Sequence, residues 1–316
     1  MQITFLGTSS GVPTRARNVS AVALRLPQRA EWWLFDCGEG TQHQILRSDL
    51  RVSQLTRIFI THMHGDHIYG LMGLLSTVGL AGNARPINVY GPPGLADYLR
   101  AAQLYSHTDF SNRVEVETIG NDASVVCEDG DFTVECRPLR HRVPAWGYRV
   151  TERDHPGSFN VEKAFALGIP AGPLYGRLKR GERVTLPDGR EIDGAELCSP
   201  PEQGRRIAYC TDTIYSEGAI ELARGADVLI HEATFAEEDA ELALQSMHST
   251  ATVAAHVAAV AQVKSLILTH FSARYVPGNS VEPDDLLRQA RAVFPNTRLA
   301  HDFLTIEVAR HRAPSI

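Results

Sequence analysis

The chain has 316 residues, of which 43% are hydrophobic and 22% charged, a length and composition that allow one large buried core of the α/β sandwich or barrel type. Its net charge of −6 excludes a protein coated in basic residues for unspecific nucleic-acid binding, so any RNA contact has to be local. Five scattered cysteines, odd in number and without a C-x-x-C pair, exclude a disulfide framework and a zinc ribbon and fit reduced thiols in a cytoplasm.

The elements begin at once. Gln2–Leu6 reads as a strand, with no basic stretch and apolar leader before it. Val19–Leu26, Trp32–Asp36, Arg57–Thr61 and Ile87–Tyr90 are further strand-like runs, alternating with helical stretches and turn residues. The longest apolar stretch, Ile68–Ala81, is broken by glycines and a tyrosine and falls short of the roughly 18 to 20 residues that cross a bilayer. A soluble, cytoplasmic protein without membrane association is expected. Phe132–Leu139, Arg206–Cys210, Val228–Ile230 and Ser265–Leu268 continue the strands, and Thr250–Val263 has the pattern of a helix. The whole reads as a single α/β domain over residues 1–316.

One segment departs from that style. Residues 155–197, from His155 to Leu197, are rich in glycine, proline and charge, contain a Leu-Pro-Asp-Gly turn signal and show little apolar periodicity from which to build a core. A protruding, flexible arm fits better than a second domain. Between Gly176 and Glu191 it carries five basic residues (Arg177, Lys179, Arg180, Arg183, Arg190) against three acidic ones, a local net positive charge in an acidic protein. Composition alone favours a solvated loop of mixed charge over a binding role for these cations.

The strongest chemical signal is Thr61-His62-Met63-His64-Gly65-Asp66-His67, directly after the run that begins at Arg57. Three imidazoles and a carboxylate packed so closely are not routine core. Imidazole nitrogen and carboxylate oxygen suit zinc, and catalytic zinc keeps a position open for water. The spacing suits two ions, with His62 and His64 turned one way and Asp66 and His67 the other. A two-metal site needs distant ligands as well. His141 after Phe132–Leu139, Asp212 after Ile207–Cys210 and His270 after Leu266–Leu268 all stand where strands end, and ligands at strand ends make a rigid shell. Each is weak evidence alone; together with the cluster they form a set.

On these residues the sequence resembles the metallo-β-lactamase superfamily, whose H-x-H-x-D-H motif is matched by His62, His64, Asp66 and His67. The resemblance implies an αββα sandwich with the arm inserted in it. It also implies two Zn2+ ions per subunit: one on His62, His64 and His141, one on Asp66, His67 and His270, and Asp212 bridging them. It narrows to the ribonuclease Z family through Thr8-Ser9-Ser10-Gly11-Val12-Pro13, Phe35-Asp36-Cys37-Gly38-Glu39-Gly40-Thr41-Gln42, His231-Glu232-Ala233-Thr234 and His248-Ser249-Thr250.

That family resemblance implies an endoribonuclease that removes the 3′ trailer from precursor tRNA, leaving a 3′-hydroxyl on the tRNA and a 5′-phosphate on the trailer. Asp66 would then act as general base and His248 as proton donor to the leaving oxygen. Asp36 would orient a ligand imidazole, with His231 and Glu232 in supporting positions. The loop Pro13–Asn18 is similar to the one that reads the tRNA 3′ end, which brings in Arg15, Arg17 and Asn18; Arg15 stands where lysine is common, a planar fork in place of a point charge. The arm, with Arg177, Lys179 and Arg180, is similar to the family's exosite for the tRNA body, and the family works as a homodimer. His43, His107, His155, His256, His301 and His311 read as surface or hydrogen-bonded core. The competing readings are another dizinc hydrolase of this fold, acting on a small phosphodiester, thioester or lactone, and a metal-free RNA-binding descendant, whose mark would be lost ligands.

Overall fold

The computed structural model describes residues 1–81, 85–110, 113–154, 157, 159–200 and 202–310; His155 and His311 lie outside them. The chain divides into two compact units, one made of Met1–Asp129, Thr133–Val150 and Arg206–Val308, the other centred on Thr151–Arg205.

The larger unit is a four-layer sandwich. One seven-stranded sheet runs in the order Thr305–Glu307, Gln2–Gly7, Ala21–Leu26, Glu31–Phe35, Leu55–Phe59, Ile87–Gly91, Val114–Thr118. The second runs Thr297–Leu299, Leu266–Thr269, Val228–Glu232, Arg206–Cys210, Ala145–Glu152, Phe132–Leu139, Ser124–Glu128. The sheets meet through aromatic rings: Phe35 stacks on Phe59 with centroids 5.0 Å apart, and Tyr148 and Tyr209 of the opposing sheet tilt onto Phe35 at 6.0 and 5.5 Å. The Tyr148 hydroxyl, buried there, donates to the Ile60 carbonyl at 2.6 Å, which satisfies its polar end as burial requires.

Helices cover both outer faces. Leu71, Leu74, Leu75 and Val78 of the helix Leu71–Ala81, with Leu95 and Leu99 of Leu95–Ser106, pack on Leu34, Ile58 and Val89. On the other side the helix Ala251–Val260 buries Ala251, Ala254, Ala255 and Ala258, small side chains that let it lie close to Ala208, Leu229 and Leu268. Covered on both faces, the central strands read as continuous apolar runs without alternation; Glu31–Phe35 is buried at every position. The α/β sandwich expected from the sequence is the fold observed, and the edge strands Val114–Thr118 and Ser124–Glu128, with exposed residues and weaker patterns, are additions to it.

The site follows from strand direction. Glu31–Phe35, Leu55–Phe59 and Ile87–Gly91 are parallel neighbours, as are Arg206–Cys210, Val228–Glu232 and Leu266–Thr269. The carboxyl ends of parallel strands are where a crevice opens in α/β sheets.

The smaller unit has what its sequence hides, a core. Ala164, Ile169, Leu178, Val184, Leu186 and Leu197 form a buried cluster. Two short helices, Val161–Ala166 and Pro173–Lys179, and a hairpin pairing Arg183–Thr185 with Glu191–Asp193 supply it. Elements this short give no periodicity to read. The Leu-Pro-Asp-Gly signal does mark the hairpin turn, with Gly189 at φ +84°, a conformation open to glycine. Within this unit Arg205 and Glu152, both buried, form a two-pronged pair at 2.6 and 2.7 Å.

Candidate active site

The turn after Leu55–Phe59 carries Thr61, His62 and His64 into the one-turn helix Gly65–Ile68, which bears Asp66 and His67. Its place is fixed by the neighbouring turn: the Cys37 N–H donates to the His67 carbonyl at 2.8 Å and the Gly70 N–H to the Cys37 carbonyl at 2.9 Å. Gly38 has to be glycine here, since a Cβ would stand 2.3 Å from the Asp66 carbonyl oxygen. Asp36, Asp212 and His270, each just past a strand end, all adopt positive φ (56°, 37° and 61°), sparsely populated for such residues and held only where packing over-determines them.

The seven expected ligands come together. His62, His64, His141 and Asp212 form one group whose donor atoms lie within 4.8 Å of one another, and Asp66, His67 and His270 form another. Asp212 belongs to both: its Oδ2 lies 3.5 Å from His62 Nε2 and 3.7 Å from His141 Nε2, while its Oδ1 lies 3.3 Å from His67 Nε2 and 3.2 Å from His270 Nε2. Asp66 Oδ2 stands 3.4 Å from both His67 Nε2 and His270 Nε2. Donor atoms of Asp212, His248 and His270 likewise lie within 4.8 Å of one another.

The donor set fits a pair of metal ions. Asp212 Oδ1 is buried without a hydrogen-bond partner, a costly state for a carboxylate oxygen that a cation relieves. The nitrogens of His62 and His64 approach to 3.0 Å and those of His67 and His270 to 3.3 Å; lone pairs of imidazoles converge this way around a shared electrophile. Charge is pooled as well. Burial works to raise the Asp212 carboxyl, but His270, His67 and His62 outweigh it and hold it well below the usual carboxylate range. At His67 burial disfavours the cation, yet Asp212, Asp66 and Asp36 prevail and raise the imidazole.

Behind the ligands stands a layer of orienting groups. Asp36 Oδ2 accepts from His67 Nδ1 at 2.8 Å, and the same carboxylate accepts from the Thr61 N–H, the Thr61 hydroxyl and the Tyr209 hydroxyl. His141 Nδ1 donates to the Met247 carbonyl at 2.9 Å, and the Gly11 N–H donates to Asp66 Oδ2 at 2.8 Å. Glu232 takes the Thr213 N–H, the Thr234 hydroxyl and His248 Nδ1, the last at 2.9 Å. Burial opposes protonation of His248, but Glu232 and Asp212 raise its pKa to about 9. With Nδ1 taken, Nε2 is the nitrogen left for a substrate. Thr250, not His248, caps the helix Ala251–Val260, accepting from the Val253 N–H. His231 alternates to the other side of its strand from Glu232; its Nδ1 donates to the Glu232 carbonyl and its Nε2 has no partner among the described residues.

Tyr209, Thr61, Thr234, Met247 and Gly11 escaped the sequence reading. Thr61, Gly11 and Thr234 stood inside motifs that the sequence singles out, but without a role of their own. Tyr209 is one position in an apolar strand, and Met247 and Gly11 act through backbone atoms that any residue offers.

The expected RNA-contact residues differ among themselves. Arg17 is drawn inward: its Nη1 donates to the Thr8 hydroxyl and the Ala300 carbonyl, and its guanidinium lies 4.7 Å from the Phe271 ring centroid. The Asn18 side chain donates to the Glu39 carbonyl. Arg15 is exposed. In the smaller unit Arg177 and Arg180 share Glu182 at 2.8 and 2.9 Å, Arg183 pairs with Asp193, Arg190 with Asp188, and Lys179 is exposed.

Two facing sheets between helices, with a histidine–aspartate cluster on strand ends, define an enzyme of the metallo-β-lactamase fold; the sequence model of the Beta-lactamase superfamily domain matches residues 31–163 and 197–271. A ribonuclease Z of Microcystis aeruginosa is 67% identical over 312 residues, 99% of this chain and 98% of its own, and one of Nostoc sp. is 65% identical over 314 residues, 99% and 97%. The crystal structure of human tRNase Z, short form, aligns with a TM-score of 0.69 and 30% identity over 98% of this chain and all of that one. The chain belongs to the ribonuclease Z family. No helix among the described residues is long and apolar enough to cross a membrane.

Proposed function

We propose that this chain is the zinc-dependent endoribonuclease that removes the 3′ trailer from precursor tRNA. The carrying observation is the shared carboxylate of Asp212 between two histidine groups, in a chain that matches ribonucleases Z over nearly its whole length. His62, His64 and His141 would hold one ion, Asp66, His67 and His270 the other, and Asp212 both. Ligand type favours zinc. When bound, such a pair supplies an activated water and offsets the negative charge that builds on the phosphate.

The protein's own residues then divide the work. Asp66, held by the Gly11 N–H, takes a proton from the attacking water. As the new P–O bond forms, the bond from phosphorus to the 3′-oxygen of the tRNA breaks, and His248 delivers a proton from Nε2 to that oxygen. Glu232 fixes the tautomer and ring orientation of His248 through Nδ1. The products are a 3′-hydroxyl on the tRNA and a 5′-phosphate on the trailer. Asp36 positions His67.

The smaller unit serves as the exosite for the tRNA body. Its arginines pair with acids of the same unit on the surface, and such exposed pairs are worth only about 0 to 1 kcal/mol, so Arg177 and Arg180 are cheaply reassigned to phosphates, with the exposed Lys179 beside them in sequence. Arg15 offers the loop Pro13–Asn18 a cation for the 3′ end. A homodimer in which the exosite of one subunit serves the site of its partner completes the reading, in a cytoplasmic setting. The test is the chemistry of the ends: precursor tRNA incubated with the protein should yield a 3′-hydroxyl and a 5′-phosphate at one boundary. A 2′,3′-cyclic phosphate would reject the mechanism.

A further inference from the structure

The cleft over the donor cluster, about 370 Å³, is lined by the turn Ser10–Pro13 and by Glu39, Asp66, Tyr69, Asp212 and His248, among others. Of its carboxylates, Asp66 and Asp212 belong to the donor set, whose charge bound ions would offset, and Glu39 lies outside that set. Among the described residues lining it there is one arginine or lysine, Arg142. That side chain follows His141, is exposed, and has no hydrogen bond or ion pair among the described residues. It lines the cleft together with His64, a proposed ligand, and His248, the proposed proton donor, and its charge works against protonation of both imidazoles. The contrast with Arg17 is plain, since that guanidinium is spent on Thr8, Ala300 and Phe271.

An unpaired guanidinium lining the cleft is positioned for an anion, and its planar fork matches two phosphate oxygens. The reacting phosphate belongs deeper, at the buried donors of His62, His67, Asp212 and His270. We infer that Arg142 binds the RNA phosphate next to the scissile one and so holds the strand in register over the donor cluster. This rests on the ribonuclease reading above.

The test combines the substitution Arg142→Gln with precursor tRNAs in which one phosphate, on either side of the scissile linkage, is replaced by an uncharged methylphosphonate. Relative kcat/KM is measured for all combinations. At one of the two positions the neutral linkage should slow the wild type by roughly tenfold, the scale of a charge-assisted contact. Arg142→Gln should slow cleavage of the unmodified RNA by a similar factor and add nothing further at that position, because the contact can be lost only once. Arg142→Lys should recover part of the rate. Losses that multiply at both positions, a neutral linkage harmless to the wild type at both, or wild-type rates from Arg142→Gln would each overturn the assignment. Failure of the wild type to cut unmodified precursor is a separate result that removes the ribonuclease reading and this inference with it.

Discussion

Asp36 Oδ2 and His67 Nδ1 lie 2.8 Å apart, with both side chains fully buried. That contact fixes which imidazole nitrogen faces Asp66, Asp212 and His270, because the other nitrogen is occupied. Asp36→Asn keeps the shape but removes an anionic acceptor shared by Thr61 and Tyr209. Metal affinity should fall by roughly 10- to 100-fold, read by competition with a chelating dye. Unchanged affinity would show that Asp36 only closes the turn.

Asp212→Ala removes the atoms that both histidine groups face. Bound metal per chain should drop and cleavage should be lost, while circular dichroism stays that of a folded α/β protein. Two ions per chain with wild-type turnover would contradict the shared role.

His248→Ala should lower kcat on precursor tRNA by roughly 10² to 10⁴, the range for general acid–base groups, with metal content retained. A nitrophenyl phosphodiester, whose leaving group needs no proton, should suffer far less. Equal losses on both substrates would mean that His248 acts by holding structure, for instance through Glu232 and Thr234.

Gly38→Ala places a methyl 2.3 Å from the Asp66 carbonyl oxygen and 2.5 Å from Val19 Cγ2. Backbone cannot yield as a flexible side chain can, so the Asp66 turn has to move. Destabilisation of roughly 1 to 3 kcal/mol is expected, measured by denaturant unfolding of the metal-loaded protein, together with weaker metal binding. Full stability and full affinity would show that the turn has slack.

Replacing residues 155–197 by a short linker should leave hydrolysis of a small activated phosphodiester in place and weaken binding of precursor tRNA. The salt dependence of binding should flatten, since each lost phosphate contact removes roughly 0.7 to 0.9 from the log–log slope. Unchanged affinity and slope would return the segment to an ordinary surface unit.

The sequence made the centre of the site legible because metal chemistry demands rare residue types at defined places. His62, His64, Asp66 and His67 are adjacent in the chain, and His141, Asp212 and His270 each follow a recognisable strand. What stayed hidden acts through common groups. Tyr209 reaches Asp36 across two sheets, a distance no local pattern encodes, and the Gly11 N–H and Met247 carbonyl are backbone. The core of the smaller unit was hidden for a related reason: Ile169, Leu178, Val184 and Leu197 gather from elements too short to show a period. The inward engagement of Arg17 depends on Phe271 and Ala300, more than 250 positions away, so charge and loop position alone pointed it outward.

The central claim is that the donor cluster makes a metal-dependent nuclease for precursor tRNA. The most direct measurement is trailer cleavage followed on a gel for the protein as purified, after exhaustive chelation, and after return of zinc, with bound metal counted in each sample. Cleavage at one boundary that vanishes with the metal and returns near two zinc ions per chain is the predicted result. Cleavage that survives in metal-free protein, or a zinc-loaded protein that hydrolyses small phosphodiesters but leaves precursor tRNA intact, would contradict it.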